Sequence, residues 1–348
     1  MKAKIFALLL FFLIISCKKE PYNLSTDWQE ISGRVQFKES GGFLELKSGK
    51  FEYKIPHSRL PYKRIVLLNA SLVGYFAELG QESKIAGISS PEYIYSEKVL
   101  NQIKSGTTAN VGNEQKYNIE KILALNPDAV ITNHIASFDN TYDLLKKNGI
   151  EVIFLDEYLE ENPIEKSKYL LVFGKLLGMD KVAASHFNDI KTRYDSLKNL
   201  TSKIGNKPLV IASEIYGNQW FMPGGKTQAA QFIRDAGGDY LLRENSEKNA
   251  VTLSFEEVLV RSAKAKVWVN AGNHKNKGSM LAVNPNYSKM NVFRKGKIYA
   301  LTGREKGKAN DFFESGVVRS DLVLKDYVIM INPKVLPHDS LTYMKELK

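Results

Sequence analysis

The hydrophobic positions of this chain change period along its length. Between residues 31 and 55 apolar and polar residues alternate, as in Gly33-Arg-Val-Gln-Phe, Gly42-Phe-Leu-Glu-Leu and Phe51-Glu-Tyr-Lys-Ile. Gly41-Gly42 and Ser48-Gly49 separate these runs. A period of two between turn residues predicts short antiparallel strands joined by tight turns. From Arg64 the pattern differs. Arg64-Ile-Val-Leu-Leu is continuously apolar, as in a strand covered on both faces of its sheet. A helix over Leu72–Leu79, a strand over Ile85–Ile88, a helix over Tyr142–Asn148 closed by Gly149, and a strand over Val152–Leu155 follow. The β-α-β-α order predicts a parallel, doubly wound sheet.

Residues 163–204 carry helical periodicity interrupted at Gly178. From Asp180, residues Ala183, Phe187, Ile190, Tyr194 and Leu197 recur at steps of four and three, which is one face of a continuous helix. About 25 residues at 1.5 Å each gives a rod of roughly 37 Å, enough to cross the back of two lobes. A second α/β series opens at Lys207-Pro208. It contains a strand over Leu209–Ala212, a helix over Thr227–Ala236, a strand over Lys297–Leu301 and a final helix over Ser320–Ile331. Residues 339–348 read as a short polar tail. The expected fold class is α/β: two doubly wound parallel-sheet lobes joined by one long helix, with a short N-terminal β-strand extension.

One unit occurs twice. Asn118-Ile-Glu-Lys-Ile-Leu-Ala-Leu-Asn-Pro-Asp-Ala-Val-Ile-Thr-Asn133 and Ser254-Phe-Glu-Glu-Val-Leu-Val-Arg-Ser-Ala-Lys-Ala-Lys-Val-Trp-Val-Asn270 each begin with a helix N-cap. Each has a carboxylate in the first turn, an amphipathic helix and a terminal apolar strand. Glu120 and Glu256 hold matching places, so each lobe carries one acidic residue at the same point. Taken singly, such a carboxylate does no more than complement its helix N-terminus, worth about 0.3–1 kcal/mol. Glu257 adjoins Glu256 and competes for the same assignment.

The N-terminus bears on compartment. Lys2 and Lys4 precede the apolar run Ile5–Ile15, and Ile14-Ile15-Ser16-Cys17 resembles a bacterial lipobox. Residues 1–16 read as a signal peptide, or as an ordinary one with a chance cysteine. In the lipobox reading Cys17, the sole cysteine, is the lipidated first residue of the mature chain. Residues 17–30 form the lipidated tether, 31–60 the extension, 61–160 the N-lobe, 161–205 the helical segment and 206–348 the C-lobe. One cysteine leaves no disulfide framework. Apolar content of 43% and charged content of 25% are ordinary for a globular protein. The formal charge of +11 becomes +9 without Lys2 and Lys4. That excess fits a basic soluble surface or attraction to anionic ligands or lipid headgroups; an exported lipoprotein does not meet nucleic acid.

These pieces together resemble ABC-importer substrate-binding lipoproteins of the class whose lobes are joined by one rigid helix, the vitamin B12-, ferric siderophore- and haem-binding proteins. The resemblance covers residues 60–335. It rests on Arg64-Ile-Val, Val111-Gly-Asn, Asn118–Val130, the helix 180–204, Pro223-Gly-Gly, Ala236-Gly-Gly-Asp-Tyr and Ser254-Phe-Glu-Glu-Val-Leu. The strands at 31–55 depart from its simplest members. The resemblance implies that Glu120 and Glu256 engage arginines of a membrane permease dimer served by a cytoplasmic ATPase. It implies a monomer in the cell envelope, anchored through Cys17 and facing the periplasm, with the leaflet left open. It implies no resident cofactor, while the small-molecule metal chelate carried would hold iron or cobalt.

Ligands of doubly wound sheets bind at the carboxyl ends of the strands. Here those ends are Ala70-Ser71, Ser89–Tyr95, Asn133-His134 and Asp156–Tyr158 in one lobe. In the other they are Glu214–Trp220, Ala271–His274, Thr302–Arg304 and Asn310–Phe313. The candidate ligand-binding residues are Tyr93, Tyr95, His134, Tyr216, Trp220, Asn273, His274, Arg304 and Asn310. Aromatic rings in these loops either stack on planar ligands or pack locally, and Arg304 suits an anionic chelate. Tyr216 and Trp220 lead because their loop is polar and contains glycine. His134 and His274, one per lobe, are placed to oppose each other across the cleft, where they serve a metal complex, act as polar cleft residues or lie at the surface. No bare-metal site is expected, because Asn69-Ala-Ser71 stands where metal-binding relatives place a histidine. Gly224-Gly225-Lys226-Thr227 resembles a phosphate loop but lacks its first glycine. Two other readings compete: an exported α/β enzyme using His134 or His274 with Asp156, which lacks a nucleophile motif, and a structural or adhesive lipoprotein.

Overall fold

The computed structural model describes residues 27–348. Cys17, the signal peptide and most of the tether lie outside them. Among the described residues no helix is long and apolar enough to cross a membrane.

The first folded element is a four-stranded antiparallel sheet made by Gln29–Glu30, Val35–Ser40, Phe43–Ser48 and Phe51–Pro56. Alternation puts Val35, Phe37, Leu44, Leu46 and Ile55 on one face, and that face merges with the core of the first lobe. The extension is therefore part of the N-lobe's packing.

The N-lobe sheet is wholly parallel. Its strands lie in the order Glu151–Phe154, Ala129–Thr132, Ile65–Leu67, Ile85–Ile88, Ala109–Asn110. The central strand Ile65–Leu67 is fully buried, as its unbroken apolar run predicts. The chain builds outward from it on one side, then returns and builds on the other. This reversal is a topological switch point, set between Ile65–Leu67 and Ala129–Thr132.

The C-lobe repeats the plan with a different order: Asp239–Tyr240, Leu209–Ala212, Val267–Val269, Lys297–Ala300, Lys345–Glu346. Its switch point falls between Leu209–Ala212 and Val267–Val269. The last strand corrects one expectation. Residues 339–348 are no polar tail: Lys345–Glu346 pairs antiparallel with Tyr299-Ala300, and Tyr343, Met344 and Leu347 are buried. Asp326 holds that segment by accepting the main-chain N–H groups of Thr342, Tyr343 and Met344.

Helices Pro163–Ser167 and Tyr169–Leu177 lead to Gly178, which ends the second in the left-handed region at φ +70°. The linker helix then runs Asp180–Ser202. Its predicted face divides between the lobes. Ala183, Phe187 and Ile190 enter the N-lobe core, whereas Tyr194 enters the C-lobe core and donates its hydroxyl to Asp235 at 2.7 Å.

Candidate functional site

Each switch point ends in polar residues. In the N-lobe these are Asn69 and Asn133, one residue or two beyond the paired strands, and the Asn69 amide donates to the Asn133 side-chain oxygen. Asn133 Nδ2 donates in turn to Leu155 O at 2.7 Å and to Glu157 Oε2 at 3.0 Å. Ser71 Oγ donates to the other Glu157 oxygen at 2.9 Å. Glu157 is buried and held from two strand ends. Lys166 faces that carboxylate: burial lowers its ammonium below the ordinary lysine range, and Glu157 opposes the shift.

In the C-lobe the switch point ends at Ser213 and Asn270, both in left-handed backbone conformation at φ +60° and +53°. Asparagine tolerates that region because its short side chain bonds locally, whereas serine does so less readily. Asn270 Nδ2 donates to Tyr327 Oη at 2.8 Å. Asn270 Oδ1 is buried without a protein hydrogen-bond partner, as is Thr302 Oγ1. Buried polar atoms without partners are uncommon and call for an explanation, such as a ligand.

At the C-lobe switch point lies a cavity of about 370 Å³, lined by Lys166 of the helical segment and by Ser213, Gln228, Asn270, Phe312 and Phe313 of the C-lobe. Tyr93, Tyr158, Tyr216 and Phe313 are exposed on loops that follow strand ends, with Tyr216 at 82%. A cation, amides and apolar rings around one space suit a small organic ligand with an anionic part.

A separate set of contacts closes one flank of the interlobe region. Glu314, carried by the C-lobe, accepts the N–H groups of Tyr95 and Ser96 in the N-lobe at 2.7 and 3.0 Å. Lys306 Nζ meets Glu97 at 2.6 Å. The Tyr95 ring lies under the Arg304 guanidinium at 5.3 Å and the Lys306 ammonium at 4.6 Å. Arg304 also pairs with Asp311 at 2.9 Å. Tyr95 and Arg304, expected as ligand contacts, are thus occupied in joining the lobes. Tyr93 stays exposed, with the Lys308 ammonium 5.9 Å from its ring.

Trp220 requires the clearest correction. It is completely buried, donates its indole N–H to Ala212 O at 3.0 Å and packs on Trp268 at 5.2 Å between centroids. It belongs to the C-lobe core and cannot touch a ligand in the cleft. Asn310 is spent on its own loop, donating to Leu301 O at 2.5 Å and accepting from Phe312 N. Asn273 is exposed. The two histidines are not brought together. His134 pairs with Asp139 at 2.8 Å within the N-lobe, between the Phe51 and Phe154 rings. His274 pairs with Glu214 at 2.5 Å within the C-lobe. Each ring has a carboxylate partner on its Nε2. Thr227 of the glycine-rich segment caps helix Gln228–Asp235.

Sequence reasoning missed Lys166, Ser213 and Asn270. The expected loops began at Glu214 and Ala271, one residue downstream of the switch-point residues. The signal was available in the order of strands, because the residue directly after each switch-point strand is the one that faces a ligand.

The two repeated units form equivalent helices, Ile119–Leu125 and Phe255–Arg261. Asn118 caps the first by accepting Lys121 N at 2.9 Å, and Ser254 the second by accepting Glu257 N at 3.1 Å. Glu120 and Glu256 are both exposed. Glu257 pairs with Arg261 at 2.9 Å, whereas Glu120 and Glu256 form no ion pair among the described residues.

Comparison with known proteins agrees with this architecture. The pattern of the periplasmic binding protein family matches residues 65–305. An uncharacterised lipoprotein of Methanocaldococcus jannaschii is 20% identical over 284 residues, which is 79% of this chain and 66% of that relative. This chain therefore spans just under two thirds of that relative's length. Among solved structures, a periplasmic haem-binding protein from Pseudomonas aeruginosa is similar with a TM-score of 0.62 and 18% identity, over 82% of this chain and 98% of the other. Helicobacter pylori Ceue with Ni(II) bound gives 0.64 and 15%, over 85% and 91%. A possible iron-binding periplasmic solute-binding protein of Staphylococcus epidermidis gives 0.59 and 19%, over 77% and 98%.

Proposed function

This chain belongs to the periplasmic binding protein family, and from that premise we propose that it is the lipid-anchored capture subunit of an ABC importer. It takes an iron-siderophore-type chelate into the interlobe cavity and presents it to a permease dimer through Glu120 and Glu256. The observation that carries this reading is the cavity at the C-lobe switch point, walled by Lys166, whose ammonium feels the Glu157 carboxylate held at the N-lobe switch point. Lys166 supplies positive charge, Asn270 Oδ1 an unused acceptor, and Phe312 and Phe313 apolar surface. Ferric chelates commonly combine net negative charge with amide or catechol groups, which is the chemistry those residues match. Similarity to a lipoprotein supports the Cys17 anchor, and a possible iron-binding relative supports the cargo class. No nucleophile with an adjacent base lines the cavity, so capture without turnover is the simplest use of these groups.

Haem is the second reading, and the exposed phenols favour it. Tyr93, Tyr158 and Tyr216 present exposed phenols, and tyrosine is a known axial haem ligand. His134 and His274 are poorer ligands here, because each Nε2 is already paired with a carboxylate.

Calorimetric titration of the purified protein with ferric siderophores, cobalamin and haem tests the proposal. Saturable, one-to-one binding of a ferric siderophore that weakens in Lys166→Met and in Asn270→Ala supports it. Haem binding with a phenolate visible spectrum, lost in one tyrosine variant, selects the second reading. Binding of none of the three ligands overturns both.

A further inference from the structure

A groove of about 690 Å³ lies outside the interlobe cavity, between the N-terminal sheet and the N-lobe. The sheet is docked firmly enough to make a permanent wall. Ser32 Oγ donates to Glu160 at 2.6 Å, Tyr53 Oη accepts Phe154 N at 2.8 Å, and Arg59 pairs with Glu151 at 3.3 Å. Arg34, Lys47, Lys50 and Phe51 come from the extension, and His134 and Tyr158 from the loops at the strand ends.

The charges in this groove do not balance. The Arg34 guanidinium forms no ion pair or hydrogen bond among the described residues, and its Nε is buried without a partner. Lys50 is exposed and lies 5.2 Å over the Phe51 ring without an ion pair. Lys47 shares itself between Glu52 at 3.2 Å and the Trp28 ring at 4.3 Å. Asp156 is the one carboxylate that lines the groove, against Arg34, Lys47 and Lys50. Asp156 accepts His134 N at 2.9 Å, Asp139 holds the His134 ring, and Glu160 accepts from Ser32 and Tyr169. A guanidinium without an ion pair at the groove wall offers its terminal nitrogens as a forked site for a planar oxyanion. Phe51 and Tyr158 supply apolar walls beside it.

We propose that this groove is a second binding site, distinct from the interlobe cavity, for a small molecule bearing a carboxylate or phosphate group. Arg34 binds the oxyanion through its fork, Lys50 adds charge at the mouth, and Phe51 and Tyr158 cover the remainder of the molecule. The site exists only because the extension is docked, which gives those strands a role that the two-lobed scaffold by itself does not require.

The test is calorimetric titration of the full mature protein with citrate and, separately, with inorganic phosphate. Saturable binding of at least one is expected, weakened at least tenfold in Arg34→Gln. Arg34→Lys is expected to bind at an intermediate level, because it keeps the charge and loses the fork. Lys50→Gln, a surface change without folding risk, is expected to weaken binding about threefold. Fluorescence of a Phe313→Trp variant, at a position that lines the interlobe cavity, monitors that cavity independently, so failure of either site is read without the other. Absence of binding by both anions overturns the proposal. So does binding that Arg34→Gln and Lys50→Gln both leave unchanged.

Discussion

Glu314 and Tyr95 meet across the lobe boundary: the Glu314 carboxylate accepts the Tyr95 main-chain N–H at 2.7 Å, although 219 residues separate the two in sequence. Burial raises the Glu314 pKa from 4.5 to about 7, against the opposing effect of the Tyr95 and Ser96 N–H groups. Asp311 adds to the rise and Lys306 counters it. A carboxyl group that holds its proton more tightly when folded contributes stability below its unfolded pKa and loses it as pH rises. Stability of the lobe junction is therefore expected to fall between about pH 4.5 and about pH 7 and to level off above that. Urea unfolding at steps of half a pH unit measures it. The decline should be reduced in Glu314→Gln, with the remainder left to Glu151, Glu160 and Asp326, whose carboxyls burial also raises; a wild-type profile flat across this window, or a slope that the substitution leaves unchanged, contradicts the assignment.

The same junction forbids a side chain at Gly74. A Cβ there would lie 2.2 Å from the Glu314 carbonyl oxygen and 2.8 Å from its carbon. Both are main-chain atoms, so neither can swing aside. Gly74→Ala should cost on the order of 1–3 kcal/mol, the usual cost of overpacking a close contact, despite alanine's better helix propensity. Denaturant midpoints give the value, and a change within about half a kcal/mol, the scatter of ordinary surface substitutions, would mean the helices separate freely here.

Trp220 is expected to behave as core. Trp220→Ala should destabilise the C-lobe by about 3–5 kcal/mol through the cavity it leaves, with little direct effect on ligand contact. Native tryptophan emission should respond weakly to cargo, since Trp220 and Trp268 are both fully buried. A tryptophan in place of Phe313, an exposed aromatic that lines the cavity, should report filling directly. Strong quenching in the wild type, unchanged in Trp220→Phe and Trp268→Phe, would leave Trp28 as its source and refute this expectation.

That error about Trp220 shows where the sequence was readable. The linker helix and both sheets were evident because each rests on local periodicity. Tyr216 and Trp220 were grouped because they share a polar, glycine-containing loop. The hairpin register separates them: Ile215 pairs with Trp220 and faces inward, while Tyr216 pairs with Gln219 and faces out. Cross-strand partners share a face, so a two-residue turn over Gly217-Asn218 already implied opposite fates for the two aromatics. The lobe junction carried no comparable signal. Glu314, Lys306 and Lys308 find Ser96, Glu97 and Tyr93 only after both lobes have folded, and no spacing in the chain encodes that. The switch-point residues lay between these extremes, since they needed the strand order but no side-chain detail.

The repeated glutamates lead to the final prediction. Glu120 and Glu256 sit in the first turns of equivalent helices, exposed and without ion pairs among the described residues, whereas Glu257 is drawn back onto Arg261. A carboxylate that only complemented its helix terminus would act locally and through about 0.3–1 kcal/mol of stability. One that meets a permease arginine would form a charge-assisted, orienting contact that matters only in the complex. The two roles separate experimentally. Glu120→Ala combined with Glu256→Ala should abolish uptake in cells, lower stability by no more than about 1–2 kcal/mol, and leave cargo affinity within about twofold, because both residues lie outside the cavity. Glu257→Ala should leave uptake largely intact, since that side chain is already engaged. Uptake at the wild-type rate in the double alanine variant, with the protein present at normal level, would remove these residues from the docking surface.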